Sequence, residues 1–425
     1  MIVQRTETHI IKESHPIYNW IVDECLRSRN LYNKTLFIYR QAFTGNHDKI
    51  EDYKPIIRHD KFISSFELTK QMAKLKDSNY YAMTKKNSGT QVVCQVDRVM
   101  KSWFASLKSY KKDSSKFRGR PRIPSYKKKN DLNCLTYTYV DAKLQKDGTI
   151  NISKTIKLPI HTNLKNFQQV RLVPKTGFIQ VEIVYNKEIS DLKLDQTRAI
   201  GIDLGLNNLM AITSNIGNVS NLVNGRPLKS INQYYNKRKA HLTSLLEKGK
   251  LKSSKRLRRL EMKRIMKIKD YLHKTSRRIV ESMEQNNIGT CFIGHNNGWK
   301  NEVEMGKKNN QNFISIPYSL LINMLRYKIE EKGGQFIELN ESYTSKCSFL
   351  DNEEICKHEV YKGKRVKRGL FLSEKKKALN ADINGSLNIL KRGIGFSFKV
   401  ENDIFRPTKI DIQKKLLNFA CQNKE

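Results

Sequence analysis

The chain has 425 residues, with 80 Lys and Arg against 41 Asp and Glu, a formal charge of +39. Such an excess repels itself and calls for a polyanionic partner, which points to nucleic acid. A membrane is excluded as that polyanion because no apolar run reaches about 18 residues. The opening MIVQRTETHII has no signal-peptide core, and seven scattered cysteines fit a reducing cytoplasm rather than a disulfide framework.

Residues 1–13 alternate as a strand through Ile2, Thr6, Thr8 and Ile10. A helix is predicted from Ile17 to about Phe43, then a polar gap over 45–61, and helices over about 65–75 and 89–111. The last carries Val92, Val96, Val99, Trp103, Phe104 and Leu107 as a packing stripe. In KKDSSKFRGRPRIPSYKKK (111–129), Gly119, Pro121 and Pro124 exclude a regular helix. Lys116, Arg118, Arg120 and Arg122, with Phe117 and Tyr126 interleaved, suit an arm that tracks a nucleic-acid strand, cations on phosphates and rings under bases. A plain linker is the alternative. Short alternating runs over 132–187, separated by KDG, Pro and KTG turns, read as strands. With the first strand they suggest a small β-barrel, residues 1–14 and 125–195, interrupted by a helical block at 15–124 that ends in the basic arm.

AIGIDLGLN (199–207) is an apolar run leading into Asp203, with Gly201 and Gly205 read as turn residues. It predicts a buried strand that holds Asp203 at the mouth of a sheet. Between Arg226 and Arg278 there are nineteen Lys and Arg and three acidic residues. Leu242, Leu245 and Leu246, then Leu257, Leu260, Ile265, Ile268 and Leu272, keep helical spacing on either side of Gly249. This predicts a basic helical hairpin that contacts a duplex or heteroduplex backbone through Lys255, Arg256, Arg258, Arg259, Arg277 and Arg278, with a merely solvated charged hairpin as the alternative. The next strand and its loop, IGTCFIGHNNGWK (288–300), contain His295, Trp299 and Lys300. A helix over 317–332 ends at Gly333 and Gly334, and a strand follows over 335–341. In NADINGSLNI (380–389), Asp382 opens an amphipathic helix carrying Ile383, Leu387 and Leu390. One carboxylate on a strand and another on a late helix suit a phosphodiesterase, in which two divalent ions roughly 3.5–4 Å apart clamp the attacking and leaving oxygens.

GIDLGLNNL, SYTSKCSFLD and NADINGSLNI, in this order around a basic helical segment, resemble the TnpB family. These are transposon-encoded RNA-guided nucleases with a RuvC-like domain of RNase H fold, related to compact type V CRISPR effectors. The likeness runs over essentially the whole chain. It implies a multidomain α/β architecture: a wedge-like β-barrel interrupted by a helical recognition lobe, a nuclease domain at 196–343 and 379–425 with its basic hairpin at 226–286, and a target-binding insertion at 344–378. Ser345, Lys346, Lys364 and Arg365 would meet the nucleic acid there. A structured guide RNA and a double-stranded DNA target are the implied partners, in the cytoplasm and not at a membrane.

Most relatives end the strand before residue 295 in a metal-binding Glu; this chain has Gly294 and His295. In one reading the enzyme is dead and binds without cutting. In the other the carboxylate has moved. A strand–helix–strand unit places its strands parallel and adjacent, and ligands gather beyond their carboxyl ends, so Glu341 would reach the vacated place; mid-strand Glu338 is the second choice. Asp203, Glu341 and Asp382 are then the expected holders of two Mg²⁺ ions. Relatives often carry two Cys-x-x-Cys pairs, whereas here only Cys347, Cys356 and His358 stand at irregular spacing, so zinc is not expected. The expected function is Mg²⁺-dependent, RNA-guided cleavage of DNA beside a short flanking motif. The alternatives are a nuclease-inactive RNA-guided repressor and a transposase that acts without RNA.

Overall fold

The computed structural model describes residues 2–58, 62–189, 191–217, 220–296, 311, 314–396, 398 and 402–412. The chain divides into two compact units, 2–188 and 189–425. Among the described residues no helix is long and apolar enough to cross a membrane.

The first unit runs β1 (Ile2–Lys12), α1 (Ile17–Thr44), α2 (Ser65–Lys74), α3 (Ser78–Tyr81), α4 (Lys86–Lys112), β2 (Leu135–Thr138), β3 (Lys143–Leu144), β4 (Thr149–Asn151), β5 (Lys157–His161), β6 (Gln169–Lys175) and β7 (Phe178–Glu188). The long helices and paired strands fall where hydrophobic periodicity puts them. The expected single barrel does not form: the strands make an open sheet of order β1-β7-β6-β2 and a separate sheet β3-β4-β5. The helical and β segments, expected as separate domains, share one core in which Leu36, Val92 and Val96 pack with Leu135, Tyr137 and Val181. A strand face without a closing partner is buried by helices instead, which removes the need for closure. The basic arm holds only a short 3₁₀ turn at Ser114–Lys116.

The second unit comprises β8 (Asp195–Leu204), β9 (Asn208–Ser214), β10 (Ser220–Asn224), α5 (Arg226–Lys248), α6 (Lys255–Gln285), β11 (Ile288–Gly294), α7 (Tyr318–Glu330), β12 (Gln335–Leu339), β13 (Lys364–Lys367), β14 (Leu370–Leu372), β15 (Ala378–Leu379), α8 (Ala381–Ile394) and β16 (Thr408–Ile410). Its main sheet has the order β12-β11-β8-β9-β10-β16. Strands β8, β11 and β12 are mutually parallel, and β9 runs antiparallel to both β8 and β10. Alternation along β8 sends Ile200 and Ile202 to the face covered by α6 and α7. Ala199 goes to the opposite face, against Ile389 and Leu390 of α8. Asp203 has the parity of Ala199 and therefore belongs to the α8 face. Phe349 of the 344–378 segment joins that face beside Leu379, Ile383 and Leu387.

Candidate active site

Asp203 lies one residue before the carboxyl end of β8, paired with Ala211 of β9. The flanking Gly201 is no turn residue but mid-strand, where α8 crosses the sheet. A Cβ there would stand 2.6 Å from Ser386 O and 2.7 Å from Leu390 Cβ. The Ser386 hydroxyl donates to Gly201 O at 2.8 Å and lies 2.8 Å from Thr213 Oγ1. This contact between backbones sets the depth of α8. At Gly385 an added Cβ would come 2.9 Å from Asp203 Oδ2, so the missing side chain leaves room for the aspartate.

Asp382 sits in the first turn of α8, capped by Asn380, whose side chain accepts from the amides of Asp382 and Ile383 at 3.0 and 3.3 Å. Its Oδ2 accepts from Asn208 Nδ2 at 2.7 Å, and Arg365 Nη2 stands 3.9 Å from Oδ1. Asp203 and Asp382 line one cleft of about 690 Å³ together with Asn208, Arg226, Arg365, Arg368, Lys409 and Asp411. Burial pushes the Asp203 carboxyl well above the usual range; repulsion from Asp382 and Glu341 pushes it further, with Arg365 opposing. Tyr318 on α7 donates to Gly205 O at 2.7 Å, below the same aspartate.

Glu341 follows β12, on the other side of β8 from the cleft strands. Gly294 pairs with Leu339 across the parallel β11–β12 ladder. A Cβ on Gly294 would fall 3.1 Å from Glu341 Cβ and 2.5 Å from Ile389 Cδ1. Any side chain at 294 therefore competes with Glu341 and with α8 for one space. Arg392 of α8 donates to the carbonyls of Asn340 and Ser342, the latter at 3.1 Å, and so fixes the backbone on both sides of Glu341. The Glu341 amide donates to Asn296 Oδ1 at 3.1 Å. Burial raises the Glu341 carboxyl, with His295 opposing. Glu338 is engaged elsewhere, accepting from His295 Nδ1 at 2.9 Å and pairing with Arg326.

Asp203 is thus within electrostatic reach of both Asp382 and Glu341. Among the described residues, however, no three His, Cys, Asp or Glu side chains are gathered as a ready-made metal site. The donor chemistry that does fit is the pair Asp203 and Asp382 in one cleft, since Mg²⁺ commonly takes one or two protein carboxylates and completes its shell with water and phosphate. Cys347 is buried with its thiol toward Cys356 O at 3.6 Å, and Cys356 Sγ lies 3.4 Å from His358 Nε2.

Of the cations expected to meet nucleic acid, Arg118, Arg120, Arg122, Lys255, Arg256, Arg259, Lys346, Lys364 and Arg365 are exposed, as is Ser345. Arg258 is half-buried. Lys116 pairs with Asp113 at 3.2 Å, and Arg40 lies over the Tyr126 ring at 4.8 Å. Arg277 and Arg278 both pair with Glu281, at 2.7 and 3.4 Å, which lowers their availability to phosphate. Lys300 and Trp299 lie outside the described residues. Sequence reasoning missed Asn208, Arg226, Arg368, Lys409 and Asp411 in the cleft. Asn208 opens β9, and Asp411 directly follows the short strand β16, in a tail whose sequence shows a strand-like piece and a short helix but no function.

The fold and site define a mixed α/β protein in which half-buried aspartates, one at a strand end of the central sheet and one on the helix that crosses it, face a basic cleft. Residues 182–300 match the family model of the probable transposase OrfB_IS605, and residues 318–389 match the Cas12f1-like TNB domain. A TnpB-like protein, ORF457 of Acidianus two-tailed virus, is 27% identical over 232 residues, spanning 52% of this chain and 47% of that protein. The chain thus covers about half the length of that curated relative. Among solved structures, a Cas12f1–sgRNA–target DNA complex aligns with TM-score 0.49 and 16% identity, covering 86% of this chain and 82% of that one. A CRISPR–Cas12f ternary complex aligns with TM-score 0.34 and 14% identity, covering 87% and 81%. The chain is thus similar, over parts of its length, to a transposon-encoded OrfB model, to the Cas12f1-like TNB domain and to a TnpB-like protein.

Proposed function

We propose that the chain is an RNA-guided DNA endonuclease that hydrolyses target-strand phosphodiesters in the cleft of an RNase H-like domain, with Asp203, Glu341 and Asp382 as its carboxylates. The observation that carries this reading is the crowding of a half-buried Asp203 by two further carboxylates beside a cationic cleft. Like charges held together out of water need a proton or a cation to balance them. Asp203 and Asp382 would hold Mg²⁺, with Glu341 completing the set from the β12 side. When bound, the metal supplies Lewis acidity at the phosphate and an activated water. Asn208 holds the Asp382 carboxylate in place, Arg365 and Arg368 bind the strand at the cleft wall, and Arg392 orients Glu341. A structured guide RNA and duplex DNA are the partners in this reading, supported by the +39 charge and by the similarity to TnpB-like and Cas12f1-like proteins.

A second reading, target binding without cutting, is favoured by the absence of a carboxylate at Gly294 and by the lack of a gathered three-carboxylate group among the described residues. One experiment separates them. The chain purified with its RNA is given a plasmid carrying the matching target, with Mg²⁺ or with EDTA. Mg²⁺-dependent cutting that is lost in Asp203→Asn and Glu341→Gln, with target binding kept, supports the nuclease. Binding without cutting by the wild type leaves the repressor.

A further inference from the structure

Helices α5 and α6 pack into a hairpin with a groove of about 940 Å³ between them. Arg238 on one wall and Arg256, Arg259, Lys263 and Lys267 on the other line it, and no carboxylate does. None of these five cations has an acidic partner among the described residues, unlike Arg277 and Arg278 lower on α6. The floor is apolar, formed by Ile231, Leu242 and Leu260. One large ring stands free in it: Tyr234 is 63% exposed, whereas its neighbour Tyr235 is buried under the Arg264 guanidinium at 4.9 Å.

We propose that this groove seats single-stranded DNA, with a base stacked on Tyr234 and phosphates on Arg256, Arg259 and Lys263. A furrow along the surface of two helices whose axes lie about 8–10 Å apart is narrower than a duplex, so it can take only a single strand laid along it. An apolar floor under a free aromatic ring is wasted on a duplex, whose bases are turned inward, and suits unstacked bases. The path of the strand follows from α5. Arg226 lines the aspartate cleft, and Ser230, Tyr234 and Arg238, one turn apart, continue along the helix into the groove. These residues span about 18 Å, or roughly five nucleotides at the rise of a stacked strand. The groove therefore holds the strand that enters the cleft; its role as the strand to be cut rests on the nuclease reading.

The test uses the full chain in EDTA, so that it does not depend on catalysis. A fluorescent oligothymidine and a duplex are titrated by anisotropy. Tyr234→Ala should weaken oligothymidine binding by about five- to a hundredfold, Tyr234→Phe should bind as wild type, and duplex binding should change far less. Arg259→Ala combined with Lys263→Ala should reduce the slope of log affinity against log salt by about 1.4 for the single strand. A 5-iodouracil oligonucleotide should photocrosslink to the peptide that contains Tyr234. An unchanged oligothymidine affinity in Tyr234→Ala, an equal loss for duplex, or a crosslink mapping elsewhere overturns the proposal. A chain that passes these tests and does not cut refutes only the nuclease reading; one that cuts and fails them refutes only this one.

Discussion

Gly201→Ala tests the contact that brings the two aspartates together. The added methyl group must move Ser386 O from 2.6 Å to at least the 3.4 Å of ordinary contact, so α8 retreats by about 0.8 Å. Its other near neighbours are Leu390 Cβ and Leu390 N, at 2.7 and 2.9 Å, so the clash is with backbone and side-chain root and no rotamer relieves it. Overpacking of this kind costs about 1–3 kcal/mol, and weakening the Ser386–Gly201 hydrogen bond adds about 1 kcal/mol. The stiffer unfolded chain returns up to about 1 kcal/mol, leaving a net loss of about 1–4 kcal/mol. For a unit of the size of 189–425 this lowers Tm by about 2–16 °C. Because α8 carries Asp382, the retreat also parts the carboxylates, and a displacement near 1 Å costs about a hundredfold in rate. Calorimetry and single-turnover plasmid cleavage measure the two effects. Gly119→Ala, at a position with nothing within 4 Å, is the control and should melt as wild type. If Gly201→Ala melts and cuts like the wild type, α8 is not docked through this glycine and the proposed pairing of Asp203 with Asp382 falls.

Asp203→Asn removes one member of a like-charged buried cluster. Without divalent ions the variant should melt above the wild type, and added Mg²⁺ should raise the Tm of the wild type only. Arg392→Ala frees the carbonyls on both sides of Glu341; cleavage should fall about tenfold or more through misplacement, with DNA binding retained in anisotropy. Lys328, which donates to Ser276 Oγ at 2.7 Å and His273 O at 3.0 Å, is pushed down to about 8 by burial and then by Arg277. Its folded value lies below the unfolded one, so the unfolded chain binds the extra proton between pH 8 and the ordinary lysine range, and the stability of the folded chain rises with pH across that window. Lys328→Met should lack this rise, which paired denaturation curves at pH 7.5 and pH 10 would read directly; parallel curves would refute it.

Long, strongly periodic elements were legible in the sequence because their apolar spacing is local: α1, α4, α5 and α6 fall within a few residues of their predicted bounds. Strand β8 and the Asp382 helix were legible for the same reason. The barrel was not, because closure depends on which strand faces pair across distant segments, and a local pattern is silent on that. Gly201 was misread because mid-strand and turn glycines look alike until the helix that needs the space is in view. Asp411 and Arg226 escaped because they stand at the ends of ordinary elements, and only the sheet order β9-β10-β16 draws them to the cleft. Glu281 escaped by lying just past the charge run, and it occupies two of the cations counted in that run.

The relation between Gly294 and Glu341 follows from the same packing. Residue 294 faces α8, where Ile389 approaches closely enough that even a methyl group must displace it. A longer side chain there has to turn the Ile389 tip aside and compete with Glu341 Cβ, which approaches the same place from the end of β12. In the proposed function the carboxylate that Gly294 lacks is supplied from that neighbouring strand end, through the backbone that Arg392 grips.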